Sequence, residues 1–115
     1  MRSLNYVQMA EVFQALPHDW NSYGAVPTTK AAANTLLLLA KHELTDNRPP
    51  CSVVPTPSGG IELSWMRDEI HADLEIHSDG LITTYIDLDG IDSEWSDDMA
   101  FFFRIINKHI KVKES

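Results

Sequence analysis

Four polar residues in one short run carry most of the chemistry this sequence has: His71, Asp73, Glu75 and His77, in "IHADLEIH" (70–77). Imidazoles and carboxylates are the side chains of metal centres and of general acid–base catalysis. Spaced by two, they share one face of an extended strand, with neighbours roughly 6–7 Å apart. Zinc ligands lie about 2.0–2.2 Å from their ion, so adjacent residues share a metal only by converging. The outer two, roughly 20 Å apart, cannot share one. Glu62 and Ser64, across the preceding hairpin, are expected beside Asp73 and His71, where either could add a ligand. A simpler requirement is met by the same residues. A strand that buries one face carries polar residues on the other, and Ile70, Ala72, Leu74 and Ile76 alternate with them. No metal and no cofactor are expected; a small metal-dependent enzyme using the His71–His77 strand face stands as an alternative.

Other catalytic patterns fail on inspection. Cys51 is the single cysteine, which excludes an intrachain disulfide and leaves no cysteine pair for zinc. It sits between Pro50 and a strand with no nucleophile signature around it. No G-x-S-x-G, P-loop or dinucleotide fingerprint occurs. "DLDGIDSE" (87–94) suggests a calcium loop, but counted from Asp87 the fifth position is Ile91 and the sixth Asp92. An EF-hand needs an oxygen ligand and a glycine there. The chain is expected not to be an enzyme.

Charge says more. The net charge is −8, and from Asp68 to Asp98 there are eleven acids and no Lys or Arg. Direct nucleic-acid binding needs clustered positive charge and is disfavoured. A basic protein partner would be steered to this half, with Glu62, Asp73, Glu75, Asp87 and Asp89 as the expected contact residues. A solvated acidic surface that aids solubility would use the same residues. The longest apolar block, "TLLLLA", is far short of the roughly 20 residues of a membrane span. The N-terminal residues contain no signal-peptide core, so a cytoplasmic address is expected and no membrane contact.

The elements that position these residues follow from hydrophobic period. At 115 residues and 43% hydrophobic, the chain is read as one domain, 1–115. Residues 4–16 read as a first helix, with Leu4, Val7, Ala10, Phe13 and Leu16 recurring, Ser3 as its cap and Pro17 as its stop. The connector "HDWNSYGAVPTT" gathers Trp20, Tyr23, Gly24 and Pro27, either a pocket or a corner that fixes how two helices meet. The corner is expected, with Trp20 and Tyr23 folded back over the core and Thr28 capping the next helix. That helix, 29–44, carries four consecutive leucines and is expected between the first helix and a sheet.

From residue 51 the period changes to two. Extended segments are expected at 51–57, 61–65, 70–77 and 81–88, the first an edge strand because of its prolines. "SDG" (78–80) fits a turn with Gly80 in the left-handed position, pairing Ile76 with Ile82. A tight turn at Arg67-Asp68 would align Trp65 with Ile70 and Leu63 with Ala72. A last helix, 94–110, is expected to bury Trp95, Met99, Phe102, Phe103, Ile106 and Ile110, leaving Phe101 and Ile105 as a flank. The expected fold is α+β: two N-terminal helices, an antiparallel meander of three or four strands, and a C-terminal helix on the same face. Its expected core is Val7, Phe13, Leu36, Leu39, Leu63, Trp65, Leu74, Ile76, Ile82, Ile86, Phe102 and Ile106.

The stretches "WNSYGAVP", "VVPTPSGGIELSW" and "LEIHSDG", with their spacing, resemble a widespread set of small bacterial proteins. That set is built on W-x-x-x-G-A-x-P, then P-T-P-x-G-G-x-x-L-x-W, then an acidic strand ending in D-G. The resemblance covers roughly residues 19–90. It implies a bacterial or phage origin and the same helix–helix–meander order, and it brings no catalytic residue with it. The expected function is a non-catalytic acidic interaction protein binding a basic protein partner, of the toxin-immunity, antitoxin or anti-defence inhibitor kind. A homo-oligomeric structural module, a homodimer formed through a sheet edge or the Phe101/Ile105 flank, is the second expectation.

Overall fold

A computed structural model describes residues 5–42, 44, 49–67, 70–88, 91–92, 102–104 and 106. Two helices come first, α1 (Tyr6–Gln14) and α2 (Lys30–His42). A four-stranded antiparallel meander follows: β1 (Ser52–Pro55), β2 (Ile61–Arg67), β3 (Ile70–Ile76) and β4 (Ile82–Leu88). The two-residue β5 (Ile91–Asp92) extends it beside β4. Residues 102–104 and 106 are helical. The fold is α+β, with the helices on one face of the sheet.

Alternation in the sequence becomes alternation in burial. Along β3, Ile70, Ala72, Leu74 and Ile76 are at most 2% exposed, while the residues between them are half-buried. β2 and β4 repeat the pattern with Ile61, Leu63 and Trp65, and with Thr84 and Ile86. The β3–β4 turn has the expected form: Gly80 has φ +88°, the His77 N–H donates to the Leu81 carbonyl at 2.8 Å, and Ile76 pairs with Ile82. The β2–β3 hairpin differs from expectation. β2 runs on to Arg67, which pairs with Ile70, so Trp65 faces Ala72 and Leu63 faces Leu74. The pairing is displaced by two residues. Because side chains alternate with period two, an even displacement leaves every residue on its expected face.

α1 is capped by Asn5, whose side chain accepts the Gln8 N–H at 2.9 Å; the expected cap Ser3 lies outside the described residues. Val7 is a correction, being 57% exposed. A stripe repeating every third residue drifts around a helix of 3.6 residues per turn. The face turned inward is Tyr6, Met9, Ala10 and Phe13, which stays within one narrow sector. Thr29, not Thr28, caps α2, accepting the Ala32 N–H at 3.1 Å. α2 packs against α1 on one side and against β2 and β3 on the other. It buries Ala32, Ala33, Leu36 and Leu39 but leaves Leu38 60% exposed, so its leucines are not buried all round.

Aromatic packing closes the core. Trp65 meets Phe102 and Phe103 edge-on, with ring centroids 5.5 and 6.0 Å apart. Phe102 and Phe103 meet each other at 5.2 Å. These are the edge-to-face arrangements that aromatic quadrupoles favour. They hold the C-terminal helical residues on the same face as α2. Ile106 is buried there too, whereas Trp95, Met99, Phe101, Ile105 and Ile110 lie outside the described residues.

Candidate functional site

Two regions collect the residues singled out by sequence: the α1–α2 connector and the outer face of the sheet. The connector is closed largely by its own polar groups. The Trp20 indole N–H donates to the Val26 carbonyl at 2.8 Å. Asp19 Oδ1 accepts the Gly24 N–H at 2.6 Å, and Asn21 Oδ1 accepts the N–H groups of Tyr23 and Ala25 at 2.8 and 3.2 Å. Asp19, Ser22 and Gly24 all take positive φ, +63°, +67° and +85°. That geometry overturns one expectation. Tyr23 is 90% exposed and covers nothing. The left-handed residues around it turn the chain outward, and Asn21 holds its backbone there. Trp20 does tuck in, half-buried.

From Ala25 onward the connector is stitched to the turns of the sheet. The Val26 N–H donates to the Pro57 carbonyl at 2.9 Å and the Thr29 N–H to Gly59 at 3.0 Å. The Thr29 hydroxyl donates to the Ser78 carbonyl at 2.6 Å and the Thr35 hydroxyl to Gly80 at 2.8 Å. Thr28, buried at 4% exposure, directs its hydroxyl to the Gly60 carbonyl at 3.4 Å. "WNSYGAVP", "PTPSGG" and "SDG" therefore meet at one end of the fold. A side chain at Gly60 would overlap the Ile76 carbonyl, and one at Gly80 would come within 3.1 Å of the Thr35 hydroxyl. Trp20, Gly24 and Pro27 belong to a corner. Their arrangement joins the helical hairpin to the sheet.

The outer face carries the charge. Strand register sets its side chains in three rows: Val54, Glu62, Glu75 and Thr83; then Ser52, Ser64, Asp73 and Tyr85; then Met66, His71 and Asp87. Glu62 therefore faces Glu75, and Ser64 faces Asp73, not the Asp73 and His71 partners expected. Ser64 Oγ donates to Asp73 Oδ1 at 2.7 Å, and His71 Nε2 lies 3.2 Å from the same oxygen. His77 Nε2 is 2.9 Å from the Thr83 hydroxyl, and its Nδ1 is 3.6 Å from Glu75 Oε2. Glu62 is pushed above its ordinary pKa, first by burial and then by the charges of Asp73 and Glu75, with His71 opposing. Asp89 lies outside the described residues.

Chemically, this face is a set of carboxylates and imidazoles bonded mainly to one another and to Ser64 and Thr83. Ser64 gives its hydroxyl hydrogen to the carboxylate that also engages His71, so the serine and the imidazole meet through Asp73 and not directly. Among the described residues no group of three or more His, Cys, Asp or Glu is placed to hold a metal ion. Sequence reasoning left Met66 and Tyr85 unassigned. Their parity with Asp87 and Ser64 was the available signal, and it puts an apolar and an aromatic side chain among the acids. The chain matches no protein-family model, no curated protein and no solved structure. Among the described residues no helix is long and apolar enough to cross a membrane.

Proposed function

We propose that this chain is a non-catalytic interaction protein whose outer sheet face docks a basic protein, in the manner of an immunity protein, antitoxin or anti-defence inhibitor. The observation that carries the reading is Glu62 opposite Glu75, with Asp73 and Asp87 on the same face. Like charges directly opposite across a sheet are destabilising, and a fold needs only polar residues there. Lysine opposite Glu75 would satisfy the fold at lower cost. Instead Glu62 is held above its ordinary pKa, first by burial and then by the neighbouring charges of Asp73 and Glu75, which His71 opposes. A cationic partner offsets those charges and is drawn in by the same field.

The other two readings have less support. Pro55 sits in β1, the edge strand, and lacks the backbone N–H with which that position would donate to an added strand. The metal-dependent reading needs convergent ligands, and the histidines engage different carboxylates, Asp73 and Glu75.

A labelled oligoarginine peptide tests the proposal. Binding is expected at low ionic strength, with steep loss as salt rises. Asp73→Lys/Glu75→Lys is expected to abolish it, whereas Glu11→Lys, on the exposed side of α1, leaves most of it intact. Salt-insensitive binding, or equal effects of the two changes, would overturn the assignment to this face.

A further inference from the structure

The histidines of the outer face carry one step more, which rests on the docking role proposed above. We propose that His71 and His77 are a proton-operated switch: neutral, they leave the face open to a basic partner, and protonated, they occupy its carboxylates themselves. His71 Nε2 lies 3.2 Å from Asp73 Oδ1, and His77 Nδ1 lies 3.6 Å from Glu75 Oε2. Each histidine is thus already seated beside one of the acids the partner would engage. Both are a little over two-fifths exposed, at 43% and 41%, so protons reach them freely, whereas Asp73 is 17% exposed and Glu75 29%. The imidazoles are the outermost part of each pair.

The surroundings favour this use. Facing His71 are Asp73 on its own strand, Asp87 on β4 and the uncharged Met66 on β2, and Glu62 senses its charge. Facing His77 are Glu75 and the Thr83 hydroxyl, while Asp79 in the adjoining turn accepts the Leu81 N–H at 3.0 Å. Helix α2 packs on the opposite face through Ala32, Leu36 and Leu39. No Lys or Arg occurs between Asp68 and Asp98, so His71 and His77 are the groups of that stretch that become cationic on protonation. With both neutral, Glu62, Asp73, Glu75 and Asp87 give four formal negative charges; two imidazolium ions would halve that. Histidine is the side chain whose charge changes between about pH 5 and 8.

Binding of the labelled oligoarginine peptide to the full chain at low salt, compared at about pH 7.5 and about pH 5.5, tests the switch. The protein is expected to bind about three- to tenfold more weakly at the lower pH, as two surface ion pairs are displaced. His71→Gln/His77→Gln is expected to lose most of the pH dependence, its affinities at the two pH values differing by less than about twofold. His77→Gln alone, which spares the Asp73 hydrogen bonds, is expected to lose part of it. Equal pH dependence in all three proteins would overturn the switch and leave the docking face standing. Failure of the unaltered protein to bind at the higher pH would overturn both.

Discussion

The two faces of β3 come from the same seven residues and answer to different physics. Ile70, Ala72, Leu74 and Ile76 are at most 2% exposed and touch α2, the neighbouring strands or the aromatic cluster. His71, Asp73 and Glu75 alternate with them, stay half-buried and bond mainly to one another and to Ser64 and His77. On the inner face each residue is explained by its neighbours: volume is filled, and the β3 side chains themselves carry no polar atom. On the outer face the neighbours explain the polarity but not its sign. The inner face builds the molecule, and the surplus of one charge outside is what folding alone does not require.

Trp65→Ala breaks the inner face most severely. It removes both aromatic contacts and opens a cavity, and about 3–5 kcal/mol of stability is expected to go, read from denaturant midpoints. A loss below about 1 kcal/mol would mean the C-terminal helical residues do not depend on that contact. Gly60→Ala probes the corner, where the added methyl would overlap the Ile76 carbonyl. Overpacking of this kind costs about 1–3 kcal/mol. Thr29→Val is expected to cost about 1–2 kcal/mol, because one hydroxyl both caps α2 and donates to Ser78. Neither corner change is expected to alter oligoarginine binding at temperatures where the variants remain folded. If one did, the separation between architecture and docking face would fail.

How much of this was legible follows from which signals are periodic. Strand alternation is strict between Ile70 and Leu88, so the buried face, the Gly80 turn and the Ile76–Ile82 pair could be read directly. The β2–β3 register could not, because Met66 and Arg67 break the alternation's apparent end and a two-residue displacement keeps the same faces. α1 misled through Val7: a short helix with apolar residues at most positions offers two stripes, and packing against α2 chose the one through Met9 and Ala10. Tyr23 misled for another reason. Aromatic residues usually signal burial, but here three positive φ angles, two of them at non-glycine residues, decide where the side chain goes. The clasp by Thr29 and Thr35 was invisible, since it joins residues 45 or more positions apart. Of the outer face, composition revealed the acids; only register shows that Glu62 opposes Glu75.

Glu62, its pKa raised first by burial and then by Asp73 and Glu75, yields the smallest expected effect and the sharpest contrast between the two faces. Glu62 is held above its ordinary value of 4.5, so the folded chain binds its proton more readily than the unfolded chain does. By linkage, stability then falls as pH rises from the unfolded value through the raised folded one, and above that window the full cost is present. Glu62→Gln keeps the size and polarity but removes the charge. It is expected to stabilise the protein at neutral pH by a few tenths of a kcal/mol to about 1 kcal/mol, the range for cross-strand charge pairs and for partly exposed charges screened by solvent. The gain should vanish below about pH 4, where the native carboxyl is protonated in both states. Oligoarginine binding should weaken in the same variant. Stability and binding would then move in opposite directions at one residue, as no inner-face substitution can make them do. If Glu62→Gln instead destabilised the fold at neutral pH, the carboxylate would be a structural acceptor, and the outer face would need no partner to account for its charge.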